Sequence, residues 1–164
     1  MCLSRTQERA YTSPVVCANK TNVGITNMNI TMLTDQIAVT GQIQVEDVAE
    51  IAAAGYLTLI NNRPDGEEVG QTATAEIAAA AEAAGLAYHY LPITAMDFPG
   101  PDAGVVQQLF DQSIGPVLAY CRTGTRCANL WVASRSAAEQ DQARQHARGL
   151  GYDLAMSEAG KSRT

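Results

Sequence analysis

Val117-Leu-Ala-Tyr-Cys121-Arg-Thr-Gly-Thr-Arg126 organises the chain around it. A short apolar strand delivers Cys121 into a loop of small and basic residues, and that loop feeds a helix expected over about Cys127 to Arg135. The small residues Thr123, Gly124 and Thr125 let backbone N–H groups turn inward, and Gly124 can take a positive φ that brings backbone close to a ligand. Inward N–H groups and a helix N-terminus together make an anion cradle. The same field stabilises a thiolate at Cys121, which makes it a nucleophile near neutral pH. Arg122 and Arg126 add fork-shaped donors for an oxyanion. A cysteine closing a core strand is ordinarily a small buried hydrophobe. A cysteine followed by two arginines around a glycine, at a strand-to-helix junction, is not a core pattern.

Working outward, strands alternate with helices. Asn29–Leu33 and Gln36–Thr40 read as two strands about the Thr34-Asp35 turn, and Tyr56–Ile60, Leu86–Ile93 and Pro116–Tyr120 as three more. Helical spacing runs from Val45 to a stop at Gly55, through the Ala-rich Thr74–Ala84 to Gly85, around Val105–Phe110, and over Ala137–Leu150. This alternation predicts an α/β fold with a mainly parallel central sheet flanked by helices. Ligands in such folds bind beyond the carboxyl ends of the strands. Three polar segments fall there: the loop from Asn61, the loop Thr94–Pro101 and the Cys121 loop. Residues 1–27 are polar and aperiodic and are expected to be a disordered extension. Residues 28–155 form the working domain, and 156–164 a flexible tail.

Composition narrows the function. The chain has 164 residues, with 11 Lys and Arg against 17 Asp and Glu and a net charge of −6. Such a balance argues against nucleic acid or an anionic membrane surface as partner. There are 27 alanines but 2 Phe and 1 Trp, so the core is expected to be small and aliphatic. No apolar run reaches the roughly 18 residues of a membrane span. No signal-peptide pattern opens the chain, so a cytoplasmic location with free thiols is the expectation. The four cysteines, Cys2, Cys17, Cys121 and Cys127, include no Cys-x-x-Cys pair, and neither His89 nor His146 has a partner at ligand spacing; no metal or cofactor is expected.

Gln42, the run Ile60-Asn-Asn-Arg-Pro-Asp-Gly-Glu-Glu68, Ala84-Gly-Leu-Ala-Tyr88 and Pro116–Trp131 resemble the phosphatase-like domain of the β-lactamase hydrolase-like protein family, over residues 28–152. The resemblance implies a fold like dual-specificity and tyrosine phosphatases. It also implies a domain that occurs alone or fused to a metallo-β-lactamase-type persulfide dioxygenase in sulfide detoxification; the stand-alone form, or a fragment of the fused one, is expected here, with such a dioxygenase as a partner. The active loop departs from the tyrosine-phosphatase pattern. Tyr120 stands in place of the histidine, and Arg126 lies five rather than six residues after Cys121. That spacing resembles single-domain rhodaneses, whose thiolate carries a sulfane sulfur and needs no general acid. A phosphatase needs one, and Asp97 stands in the loop where phosphatases keep that acid; its alternative is a solvated turn former.

The expected ranking follows. Sulfur transfer through a Cys121 persulfide, from thiosulfate or a persulfide, comes first. Hydrolysis of a phosphate ester through a cysteinyl-phosphate, with Arg126 on the phosphoryl oxygens and Asp97 as acid, is the alternative. A non-catalytic anion-binding module is the third. Arg63 is either a second anion contact or the partner of Asp65 or Glu67. Cys127 shares a helical face with Leu130, Trp131 and Ser134, which fits core packing, and is alternatively a resolving thiol for Cys121. His89 and Trp131 read as core, and Glu67-Glu68 as a solvated loop.

Overall fold

The computed structural model describes residues 28–159; the expected N-terminal extension lies outside them. Five strands form one sheet in the order β1 (Thr31–Met32), β2 (Ile37–Thr40), β5 (Val117–Tyr120), β3 (Thr58–Asn61) and β4 (Ala87–Tyr90). Only the β1–β2 pair is antiparallel, so the expected mainly parallel α/β sheet is what forms. The tetrapeptides of β2, β5 and β3 are buried on both faces, as parallel strands between helices must be.

Side chains alternate across the sheet. Val39, Ile60, Val117 and Ala119 enter one core with Val106, Phe110, Leu130 and Ala147. Ala38, Leu59, Leu118 and Tyr120 enter the other with Val48, Ile51, Ile77 and Ala81. The helices covering the sheet are α1 (Asp47–Ala53), α2 (Thr74–Ala83), α3 (Ala103–Gln112), α4 (Thr125–Ala133) and α5 (Gln140–Gly149).

Register decides where the site falls. Thr40, Tyr120, Asn61 and Tyr90 are aligned as the last residues of their strands. The loops leaving them therefore emerge along one edge, as the three polar segments predict.

Several boundaries differ from the sequence expectation. Helix α4 starts at Thr125, not Cys127, which puts Arg126 in its first turn. It is buried continuously from Cys127 to Val132, not along one face, because α3, α5 and a last short helix, α6 (Ala155–Ala159), all pack on it. Residues 155–159 are helix α6, not frayed tail, and Ser157 is buried. The tie is Asn129, fully buried: its Nδ2 donates to the carbonyls of Thr125 (2.9 Å) and Asp153 (2.7 Å), and its Oδ1 accepts the Ser157 N–H (2.9 Å). β4 is an edge strand, so His89 is half-buried rather than core, and burial lowers its pKa.

Asn129→Ala removes three buried hydrogen bonds and leaves an amide and two carbonyls to find other partners. It is expected to destabilise the fold by about 2–4 kcal/mol in urea unfolding and to speed amide exchange at Ser157. A loss below about 0.5 kcal/mol, the range of an ordinary surface change, would show that α6 is held by something else.

Candidate active site

Cys121 follows β5, with its N–H on the Thr40 carbonyl at 3.4 Å, and is 1% exposed. Gly124 then turns the chain at φ +87° as the N-cap of α4. An added Cβ there would stand 3.3 Å from the Tyr152 hydroxyl and 3.4 Å from the Thr40 carbonyl, so both backbone and packing favour glycine. The Gly124 N–H donates to Cys121 Sγ at 3.1 Å. No side chain caps α4; the sulfur sits where a capping acceptor would.

The Cys121 thiol is pulled down to about 6. The Cys127 thiol, which donates to it, is the largest cause; burial opposes, and N–H groups of Cys127, Thr123 and Arg126 add to the lowering. Cys127 is fully buried and pushed well above its ordinary value, first by burial and then by its role as donor to Cys121. It thus serves as core residue and as the thiolate's hydrogen-bond donor at once.

Arg126 reaches away from the helix. Its Nη1 donates to the Ile93 carbonyl at 3.0 Å and its Nη2 to Glu67 Oε2 at 2.8 Å. Arg63 is 2% exposed. Its Nε donates to the same Glu67 oxygen at 2.9 Å, Nη1 to Gln42 Oε1 at 2.9 Å, and Nη2 to Glu68 Oε2 at 3.1 Å. Arg63 is therefore an ion-paired structural cation rather than a free anion contact. Glu67 is an exposed loop residue, as expected, but its carboxylate is engaged: one oxygen bridges Arg63, in the loop after β3, and Arg126, in the first turn of α4. Burial alone would raise its carboxyl, but Arg126 and Arg63 hold it below the usual range. Asp65 has a separate duty, accepting the Thr74 N–H at the start of α2 at 2.9 Å.

Arg122 is 63% exposed, 3.9 Å from Glu68, and its carbonyl accepts the Gln42 N–H at 3.3 Å. Thr123 and Thr125 share a hydroxyl contact of 3.1 Å. Asp97 is exposed, in the loop that Ile93 begins, and accepts from the Thr94 hydroxyl at 2.7 Å. Cys121, Cys127, Arg126, Glu67 and Arg63 thus form one connected network, into which Asp97 makes no hydrogen bond among the described residues. Tyr120, in the place of a phosphatase histidine, joins Tyr88 (3.3 Å), which in turn meets Thr74 (2.6 Å). Burial is the main force raising its phenol. Among the described residues no three His, Cys, Asp or Glu side chains cluster as metal ligands, and no helix is long and apolar enough to cross a membrane.

Alkylation of Cys121 is expected to rise with pH about a midpoint near 6. Cys127→Ala should move that midpoint upward, and Cys127→Ser, which keeps a donor, should move it less. An unchanged profile in Cys127→Ala would assign the lowering to backbone alone. Glu67→Gln leaves two arginines short of one charged acceptor, and is expected to lose about 2 kcal/mol in denaturant. Because the folded carboxyl lies below its unfolded value, its stabilisation is full above the ordinary carboxylate range and fades as pH falls through the folded value. The acid limb of stability against pH should therefore be shallower in the variant.

Residues 29–138 match the family described as beta-lactamase hydrolase-like protein, phosphatase-like domain. Beta-lactamase hydrolase-like proteins of Agrobacterium fabrum and Xylella fastidiosa are 34% identical over 105 residues and 32% identical over 135. These alignments cover 64% and 79% of this chain but 24% and 31% of the relatives, so the chain spans a quarter to a third of their length. Among solved structures, a candidate phosphatase from Neisseria meningitidis aligns with a TM-score of 0.66 at 38% identity, over 76% of this chain and 89% of its own. The kinase-associated phosphatase, solved with serine for its catalytic cysteine, shares the fold with a TM-score of 0.62 at 12% identity, over 79% and 88% of the two chains. The strand, cysteine loop and helix that open the sequence reading are thus those of a cysteine-phosphatase-like fold, and the chain belongs to the phosphatase-like domain family of beta-lactamase hydrolase-like proteins.

Proposed function

We infer that the protein is a cysteine-dependent hydrolase of small phosphate monoesters. The observation that carries this is the Cys121 sulfur, buried at the point where the N–H groups of the loop and of α4 converge, with its thiol pulled down to about 6. The likeness to the Neisseria candidate phosphatase supports the hydrolytic reading over the sulfur transfer that the Cys-to-Arg spacing suggests. In the first step the Cys121 thiolate attacks phosphorus, the P–S bond forms and the ester P–O bond breaks. Protonated Asp97 gives its proton to the departing oxygen. In the second, water attacks phosphorus, Asp97 takes its proton, and the P–S bond breaks to return the thiolate. Loop N–H groups and Arg126 stabilise the charge on the phosphoryl oxygens throughout.

Sulfur transfer keeps specific support from two features: the five-residue offset of Arg126 from Cys121, and an Asp97 bonded to Thr94 rather than to the loop. In that chemistry the thiolate takes the outer sulfur of thiosulfate, releases sulfite, and passes the sulfur from a persulfide to an acceptor. A persulfide dioxygenase partner belongs to this alternative alone. Under peroxide, the Cys127 thiol is positioned to displace water from a Cys121 sulfenic acid and close a disulfide, which is the resolving role.

Purified protein assayed with p-nitrophenyl phosphate, and separately with thiosulfate and cyanide, distinguishes the chemistries. Phosphate release should vanish in Cys121→Ser and fall about a hundredfold or more in Asp97→Asn. Thiocyanate release dependent on Cys121, without phosphate release, would install sulfur transfer instead. No Cys121-dependent turnover in either assay would leave an anion-binding module.

A further inference from the structure

Beside the Cys loop lies a cavity of about 350 Å³, bordered by Gln42, Gln44, Arg63, Glu68, Gln71 and Arg122 among others. That volume is within the range of small-molecule sites. Its polar wall is unusual in what it leaves unused. Arg63 and Gln42 are spent on each other and on the glutamates. Arg122 makes no hydrogen bond with its guanidinium among the described residues; its nearest partner, Glu68 Oε1, is 3.9 Å away, too long for one. Glu68 binds Arg63 through Oε2, and its Oε1 accepts no hydrogen bond among the described residues. Gln71 donates Nε2 to the Pro64 carbonyl at 2.9 Å, which fixes the amide's orientation. Its Oε1 is buried without a donor among the described residues and is closed off from the cavity. One exposed cation and one exposed carboxylate oxygen therefore border a cavity that adjoins the nucleophile's loop.

We propose that this cavity is a subsite for the free α-amino-acid head of the substrate, with the substrate's carboxylate on Arg122 and its ammonium on Glu68 Oε1. The pairing uses each exposed charge once, and the ligand parts the loose Arg122–Glu68 pair by offering each member a charge of the right sign. The anion carried on that amino acid's side chain then enters the cradle around Cys121. This rests on the phosphate-ester function for the cradle, but not for the subsite. A residue within a peptide has neither charge, so the proposal commits to a free amino acid rather than a phosphopeptide.

Calorimetric titration of the Cys121→Ser protein tests it, with O-phospho-L-serine, O-phosphoethanolamine, N-acetyl-O-phosphoserine amide and inorganic phosphate as probes. O-phosphoserine is expected to bind about tenfold tighter than phosphoethanolamine, which lacks only the carboxylate and so loses one charge-assisted hydrogen bond, and tighter still than the capped amide, which lacks both charges. In Arg122→Gln, at an exposed position that does not threaten folding, the ratio of phosphoserine to phosphate affinity should fall about tenfold. Equal binding of the capped amide, a ratio unmoved by Arg122→Gln, or no binding of any probe would overturn the subsite. The wild-type p-nitrophenyl phosphate assay separates the two claims: phosphoserine preference without turnover supports the subsite and retires hydrolysis.

Discussion

A thiolate at the end of a core strand must recover the hydration it gives up. Burial by itself drives a cysteine toward the neutral form. Cys121 is 1% exposed and is nonetheless pulled down to about 6. The fold meets this demand first with the Cys127 thiol, which donates to the sulfur, and then with backbone dipoles, rather than with a full positive charge. Gly124 turns left-handed, so the chain doubles back and its own N–H points at Sγ. Helix α4 begins at once, and its unbonded first-turn N–H groups face the same atom. The sulfur in effect caps the helix, and the helix keeps the sulfur charged. A residue with a Cβ at position 124 would interfere with both, through φ and through Tyr152 and Thr40.

Dipoles free the arginines for another task, and the fold then restrains them. Three guanidiniums, of Arg63, Arg122 and Arg126, pair with the carboxylates of Glu67 and Glu68, and the Cys121 thiolate is the third anion of the region. Such a cluster is close to neutral before substrate arrives, although the chain as a whole is acidic. Glu67 is the hinge of this balance. Its single oxygen accepts from Arg63, which is anchored beneath, and from Arg126, which lies above it in α4. Arg126 is thereby held in place with N–H groups to spare, since the guanidinium has five donors and two are committed.

The sheet and the nucleophile were legible because their signals are local. Apolar tetrapeptides punctuated by glycine announce buried parallel strands, and Cys121-Arg-Thr-Gly-Thr-Arg126 announces the turn by composition. Convergence of the three loops follows from parallel register alone. The partner of Arg63 was legible in part: Glu67 lies four residues on, just after a core strand, and was among the expected partners. That Glu67 also takes Arg126 was not, because those residues are 59 positions apart and meet only through the sheet order that sets β3 beside β5. Helix α6 escaped for a similar reason. Five residues have no readable period, and their order comes from Asn129, a polar side chain whose full burial only the packed structure reveals.

The shortened Cys-to-Arg spacing has a consequence for the residue that follows. With Gly124 as N-cap, Arg126 is the second residue of α4 and Cys127 the third. A helix turns about 100° per residue, so the two side chains diverge. Arg126 swings outward to Ile93 and Glu67, while Cys127 faces the core and the sulfur of Cys121. Had the arginine stood one place later, it would occupy the inward position, where burial would demand a carboxylate beside the nucleophile or leave its charge uncompensated. A thiol in that position donates a hydrogen bond without importing a charge. The spacing therefore exchanges an arginine directly behind the nucleophile for a neutral donor, and moves the positive charge to the rim, where a substrate's anionic groups would meet it.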